Sequence, residues 1–213
     1  MLAVLTATRS EGAALRVHGV ILAGGASSRF GSDKAIASID GKALIDYVVE
    51  AMNPCVDTLS IVGGPVEWAD DRSIEHVADD SIHAGPLVAL ACALGKRQIA
   101  SDDLVLIAPC DTPLIRSTTL HDLIDRAASS NGAVARTGHT PHWIVSAWSG
   151  PVVRDACVEA CDAGATALHQ VFEALGPTYL EVSPIEVLNV NTPEDLSRAA
   201  QSLAQWNGER NHG

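Results

Sequence analysis

Lysine is nearly missing from this chain of 213 residues: only Lys34, Lys42 and Lys96 occur. Two of the three fall in or just after one glycine-rich stretch, whereas a merely solvated surface would scatter them. Acidic residues outnumber Lys and Arg by 26 to 14, leaving a net charge of −12. That balance argues against nonspecific nucleic-acid binding and against docking on an anionic membrane. An anionic ligand would therefore need locally concentrated positive charge. No apolar run approaches the ~20 residues that span a bilayer, and no internal repeat or low-complexity segment is present. The five cysteines, Cys55, Cys92, Cys110, Cys157 and Cys161, contain no Cys-x-x-Cys pair, and their odd number suggests free thiols. Cys157 and Cys161, with His169 downstream, make a poor metal set and read as buried apolar thiols. The first sixteen residues carry a short apolar patch, Leu2 to Ala7, with no basic region before it and no small-residue cleavage site after it. They read as a flexible extension rather than a signal peptide, which predicts a cytoplasmic location.

What is present is organised around residues 20–34, Val-Ile-Leu-Ala-Gly-Gly-Ala-Ser-Ser-Arg-Phe-Gly-Ser-Asp-Lys. The apolar run from Val17 to Leu22 predicts a buried strand of a parallel sheet. It ends in Ala23-Gly24-Gly25, where small side chains let main-chain N–H groups approach a phosphate. Ser27 and Ser28 add hydroxyls, and Arg29 and Lys34 add cations. Two other phosphate cradles are excluded. Gly25 and Gly31 have the wrong separation for a P-loop and no Lys follows the second, and the adjacency of Gly24 and Gly25 does not fit Gly-x-Gly-x-x-Gly.

Further along, residues 43–52 predict a helix stopped by Asn53-Pro54, residues 56–62 a strand and residues 73–77 a weaker one. Gly85-Pro86 starts a helix over residues 87–94. Residues 104–108 are the best candidate for a central strand, and Pro109-Cys110-Asp111-Thr112-Pro113 follows them. A helix over 118–128, strands over 133–136 and 143–148, helices over 151–160 and 166–174, and short strands over 179–182 and 187–190 complete the pattern. Thr192-Pro193-Glu194-Asp195 has the hydroxyl cap, early proline and acids of a helix start, and that helix is expected to end near Gln205. Alternating strands and helices predict an α/β domain with a mostly parallel sheet and helices on both faces. In such a sheet ligands bind at the carboxyl ends of the strands, so the glycine-rich loop and Asp111 are expected to meet there. The domain is expected over 17–205, with a polar tail over 206–213.

Three segments carry a resemblance that covers roughly residues 17–196. Leu22-Ala-Gly-Gly-Ala-Ser-Ser-Arg29-Phe-Gly-Ser-Asp-Lys34 resembles the signature of the molybdopterin nucleotidyltransferases, the guanylyltransferases above all, with Phe30 in place of the usual Met. Cys110-Asp111-Thr112-Pro113 and Asn189-Val-Asn191-Thr-Pro-Glu-Asp-Leu196 are similar to two further motifs of that family. The resemblance implies a Rossmann-like three-layer nucleotidyltransferase fold and transfer of GMP from Mg²⁺·GTP to molybdopterin or the molybdenum cofactor. It implies Arg29, Lys34 and Asp111 as catalytic residues and Asp111 and Asn191 as Mg²⁺ ligands. For the nucleotide it implies Leu22, Ala23, Gly24, Gly25, Ser27, Lys34, Asp80, Gly85, Pro86 and Asp111. Molybdoenzymes or other cofactor-biosynthesis proteins are the protein partners it implies. Two departures concern the family's usual Asn, replaced here by Gly63-Gly64, and its pterin-side cations, which residues 162–168 lack. Arg136, His142 and Arg154 are candidates for an acceptor phosphate site and read equally well as surface residues of a helix and strands. Competing readings are a cytidylyltransferase, a sugar-1-phosphate nucleotidyltransferase and a nucleotide-binding protein without an acceptor site.

Overall fold

The computed structural model describes residues 15–23, 38–64, 66, 69, 74–78 and 85–210, the last four by their backbone alone. Strand β1 (Val17–Leu22) is buried along its whole length. A strand between parallel neighbours, covered by helices on both sides, has no solvent face and so needs no polar alternation. His18 is the polar exception inside it. Its Nδ1 lies 2.9 Å from Thr58 Oγ1 and its Nε2 3.1 Å from Asp103 Oδ2, so the ring is satisfied on both sides.

A hairpin of β2 (Ser38–Ile39) and β3 (Lys42–Ala43) leads into α1 (Leu44–Met52) and a 3₁₀ turn, Asn53–Cys55. Strands β4 (Thr58–Val62) and β5 (Glu75–Val77) precede α2 (Pro86–Gly95). Then come β6 (Leu104–Pro109), α3 (Ser117–Ala127), β7 (Gly132–Thr137) and β8 (Thr140–Ser149). Helices α4 (Gly150–Asp162) and α5 (Leu168–Ala174), strand β9 (Thr178–Glu181) and helix α6 (Pro193–Arg210) complete the described elements. The expected strand over 187–190 does not form. The N–H groups of Glu186 and Leu188 turn back onto the carbonyls of Ser183 and Ile185, and that of Val190 donates to Asp111. Val187 and Val190 are apolar because they are buried under α6 and its neighbours, not because they join a sheet.

Seven strands form one sheet in the order β5-β4-β1-β6-β8-β7-β9, and only β8 runs against the others. Alternate side chains of β6 feed two cores. Leu104, Leu106 and Ala108 face α1 and α3; Val105 and Ile107 face α2, α4 and α5. Burying a large aliphatic side chain contributes roughly 1.5–3 kcal/mol, so these two layers dominate the stability of the sheet. A smaller third core joins Ile39, Leu44, Leu114, Val190 and Ala199 beneath α6. That helix runs past the end expected from sequence. Trp206, expected in the polar tail, lies on α6 with the Arg116 guanidinium 3.9 Å from its ring centroid.

Strands β7 and β8 form a hairpin whose register jumps between Val134 and Ala135: Val134 faces Ser146, but Ala135 faces His142. The extra residues on β8 free the Trp143 carbonyl from the ladder. Ser146 Oγ donates to it at 2.8 Å and accepts from the Trp148 indole N–H, also at 2.8 Å. Trp148 is fully buried against Phe172, with ring centroids 4.4 Å apart. The bulge is thereby anchored in the core.

Candidate active site

Strands β1 and β6 lie side by side with Leu22 opposite Pro109. Pairing continues past their ends: Cys110 N–H donates to Leu22 O at 3.0 Å, and Ala23 N–H to Val62 O at 2.9 Å. Ala23 and the Cys110-Asp111 step therefore leave the same carboxyl edge as neighbours, as the sequence predicts. Of the residues expected at the nucleotide, Leu22 and Ala23 lie at this edge, both largely buried. Gly24, Gly25, Ser27, Arg29, Lys34 and Asp80 lie outside the described residues.

The wall beside Ala23 is tight. Gly64 has φ +75°, and a Cβ built on it would stand 3.0 Å from Ala23 Cβ. His76 Nε2–H donates to the carbonyls of Gly63 and Gly64, at 3.2 and 3.3 Å. The Gly63-Gly64 departure thus places backbone where a side chain would crowd the end of β1. Nothing in the sequence marked His76 for this role. On the same side, α2 follows the carboxyl end of β5 and precedes the amino end of β6, so its N-terminus faces the carboxyl edge. Gly85 enters it with φ +88°, a conformation that suits glycine, and Pro86 occupies the first turn.

Asp111 is tied to the C-terminal motif through the main chain. Val190 N–H donates to Asp111 O at 2.8 Å. Asp195 Oδ2 accepts from the N–H groups of Asn191 and Thr192, each at 3.1 Å, and from Thr192 Oγ1 at 3.0 Å. Asp195 N–H donates in return to Thr192 Oγ1 at 3.1 Å. This is a reciprocal cap at the start of α6, as the Thr-Pro-Glu-Asp spacing predicts. Burial of Asp195 opposes its ionisation, but the hydrogen bonds from Asn191 and Thr192 outweigh that and hold its pKa below the ordinary carboxylate range. Glu186, only 9% exposed, accepts from Thr119 Oγ1 at 2.5 Å and fastens the preceding turn to α3. Sequence reasoning missed Glu186, because one acid in a polar loop carries no pattern.

The main-chain bond from Val190 to Asp111 makes the segments that carry Asp111 and Asn191 neighbours at the carboxyl edge. Hard oxygen donors such as a carboxylate and an amide oxygen suit Mg²⁺, which takes one or two protein carboxylates and completes its shell with phosphates and water. Among the described residues no group of three or more His, Cys, Asp or Glu is arranged to hold a metal. Cys157 is fully buried, and burial pushes its thiol up to about 12.

The acceptor candidates separate. Arg136, near the carboxyl end of β7, pairs with Glu181 at 3.3 Å and lies 5.2 Å from the Tyr179 ring. His142, at the same edge, is 2.9 Å from Thr137 Oγ1, and burial lowers its pKa, favouring a neutral ring. Arg154 corrects the expectation. It lines a cavity with Arg16 and Asp103, which immediately precede β1 and β6, so it belongs to the opposite, amino edge.

Comparison with known proteins shows the family and the fold. Residues 19–179 match the family model of the MobA-like NTP transferase domain. The chain belongs to this family. It is a nucleotidyltransferase. A molybdenum cofactor guanylyltransferase of Cereibacter sphaeroides is 33% identical over 89% of this chain and 98% of its own. A probable molybdenum cofactor guanylyltransferase of Haloferax mediterranei is 29% identical over 84% and 90%. Among solved structures, molybdopterin-guanine dinucleotide biosynthesis protein A from Archaeoglobus fulgidus aligns with a TM-score of 0.70 at 22% identity, over 88% of this chain and 99% of its own. That likeness establishes the family's fold. The Asn191 segment lies beyond the matched family model, but its cap and its bond to Asp111 hold it against the matched region. Among the described residues no helix is long and apolar enough to cross a membrane.

Proposed function

We propose that this chain is a cytoplasmic enzyme that transfers GMP from Mg²⁺·GTP to the terminal phosphate of molybdopterin or its molybdenum form, releasing pyrophosphate. The observation that carries this reading is the Val190–Asp111 main-chain bond, which joins the Asn191 segment to the end of β6 beside β1. The names of the relatives support the choice of nucleotide and acceptor.

Main-chain N–H groups after Ala23 would cradle the triphosphate, with Ser27 adding a hydroxyl. Arg29 and Lys34 would neutralise the charge that grows on the leaving pyrophosphate. Asp80 would accept from the N1–H and N2–H donors of guanine, with Gly85 and Pro86 at the start of α2 beside the base. Asp111 and Asn191 would hold Mg²⁺, which when bound polarises the phosphorus and screens the phosphate oxygens. The acceptor's phosphate oxygen forms a bond to the α-phosphorus as the α–β bridging bond breaks, and the electron pair leaves with pyrophosphate. A phosphate monoester is largely ionised near neutral pH, so positioning and charge stabilisation suffice without a strong base. Arg136 remains the acceptor-side cation at this edge. Molybdoenzymes or other cofactor-biosynthesis proteins would receive the product.

Pyrophosphate release measured with each of the four common ribonucleoside triphosphates, with and without molybdopterin, tests the reading. Release that requires both GTP and molybdopterin is expected. Equal or faster release with CTP would overturn the guanylyl assignment.

A further inference from the structure

The amino edge of the sheet gathers three arginines around one cavity. A cavity of about 750 Å³ opens there among Arg16, Arg97, Gln98, Asp103 and Arg154. Three guanidiniums around one cavity stand out in a chain whose net charge is −12. Asp103 does not consume them. Its carboxylate is only 6% exposed and accepts from His18 Nε2 at 3.1 Å and Ala100 N–H at 2.8 Å, with the Arg16 main chain assisting. Its charge is answered by an imidazole and by backbone donors.

Asp57 stands beside Arg16, its carboxylate accepting from Val17 N–H at 2.7 Å, and two of the arginines pair with acids. Arg97 pairs with Glu75, and Arg154 Nε donates to Asp155 Oδ1 at 2.8 Å. Both carboxylates are 57% exposed. Solvated pairs of this kind contribute little, and each leaves other N–H donors of its guanidinium uncommitted. Among the described residues Arg16 has no ion-pair partner. Arg97 Nε is buried without a hydrogen-bond acceptor. Gly150 N–H, bound to Asp103 O at 2.7 Å, sets the N-terminus of α4, which carries Arg154, against the Asp103 carbonyl.

We propose that this cavity is a second anion site, which takes the phosphate group of a small phosphorylated metabolite. The planar forks of the arginines match phosphate oxygens, and the cavity has room for more than the phosphate alone. The six residues of β1 put it about 20 Å from the nucleotide edge at ~3.3 Å per residue. It is therefore separate from the GTP site.

Calorimetric titration with inorganic phosphate and with glycerol 3-phosphate, in EDTA at low ionic strength, tests the proposal. The variants are Arg97→Gln/Arg154→Gln and, at an exposed residue, Arg16→Gln. The double variant should weaken phosphate binding at least tenfold, Arg16→Gln at least threefold, and metal-free GTP should not displace the anion. Tighter binding of glycerol 3-phosphate supports a phosphate monoester as ligand; tighter binding of inorganic phosphate supports the site with free phosphate as its ligand. Wild-type affinity in the double variant, or complete displacement by GTP, would overturn the proposal. If the double variant fails to fold, unchanged binding by Arg16→Gln overturns it.

Discussion

Val190 donates its backbone N–H to the carbonyl of Asp111 at 2.8 Å, joining two segments almost eighty residues apart in sequence. The bond fixes the main chain at Asp111 and beside Asn191, the two residues of the proposed metal site. Substitution at Asp111 should therefore separate chemistry from folding. Asp111→Asn keeps the side-chain size and removes the charge. Turnover is expected to fall by about two orders of magnitude or more, the scale of losing one strong electrostatic contact. The melting temperature without nucleotide should change little, and raised Mg²⁺ should restore part of the rate. Unfolding of the variant would instead give Asp111 a structural role.

Lys34→Ala should lower kcat far more than it weakens GTP binding, because the proposed charge on the leaving group develops only in the transition state. Lys96, exposed at the C-terminal end of α2, is the control, and Lys96→Ala should be nearly silent. Single-turnover rates and equilibrium GTP binding measured on both variants make the comparison. Equal effects would remove Lys34 from the phosphate cradle.

Asp195 makes the cap of α6 sensitive to pH. Its folded pKa is depressed, so its contribution to stability is complete above the unfolded value of about 3.9. It is lost as pH falls through the lower folded value. Asp195→Ala should cost about 1 kcal/mol near neutral pH, typical of a lost cap. The difference from wild type should shrink in strongly acidic solution. Denaturant unfolding of both proteins from neutral to acidic pH checks the sign. A difference that grows on acidification would contradict the assigned cap.

Glu186→Ala should loosen the turn before Asn191 by stranding the Thr119 hydroxyl, at a cost of about 1–3 kcal/mol. Glu186→Gln keeps an acceptor for Thr119 and should retain most of the stability. Hydrogen exchange of the Val190 amide gives a local readout. It should quicken in Glu186→Ala and not in Glu186→Gln.

The strands that matter most for the site were legible because full burial leaves a continuous apolar signature. Val17–Leu22 and Leu104–Pro109 carry it, and both end at the carboxyl edge of the proposed nucleotide site. The cap at Thr192 was legible because its partners lie within one helical turn. The stretch 187–190 was misread as a strand because burial under a helix selects the same apolar residues as burial in a sheet. The place of Arg154 was invisible for a related reason. A helix surface gives no sign of which sheet edge it will reach until the reversed strand β8 is placed. The bonds from Thr119 to Glu186 and from Val190 to Asp111 span sequence distances over which no local pattern operates.

The reversal of β8 has an evolutionary corollary. The half of the sheet assigned to the nucleotide is built from parallel strands joined by crossovers. The other half presents a hairpin tip at Gly138 and His139, both exposed. Its base is pinned by Trp148 and Ser146 in the core. A tip of that kind can gain or lose residues without disturbing register elsewhere, because the anchor lies below the bulge. Diversification of the acceptor among descendants of this fold should therefore be written in hairpin length and tip composition, with the crossover half inherited nearly intact.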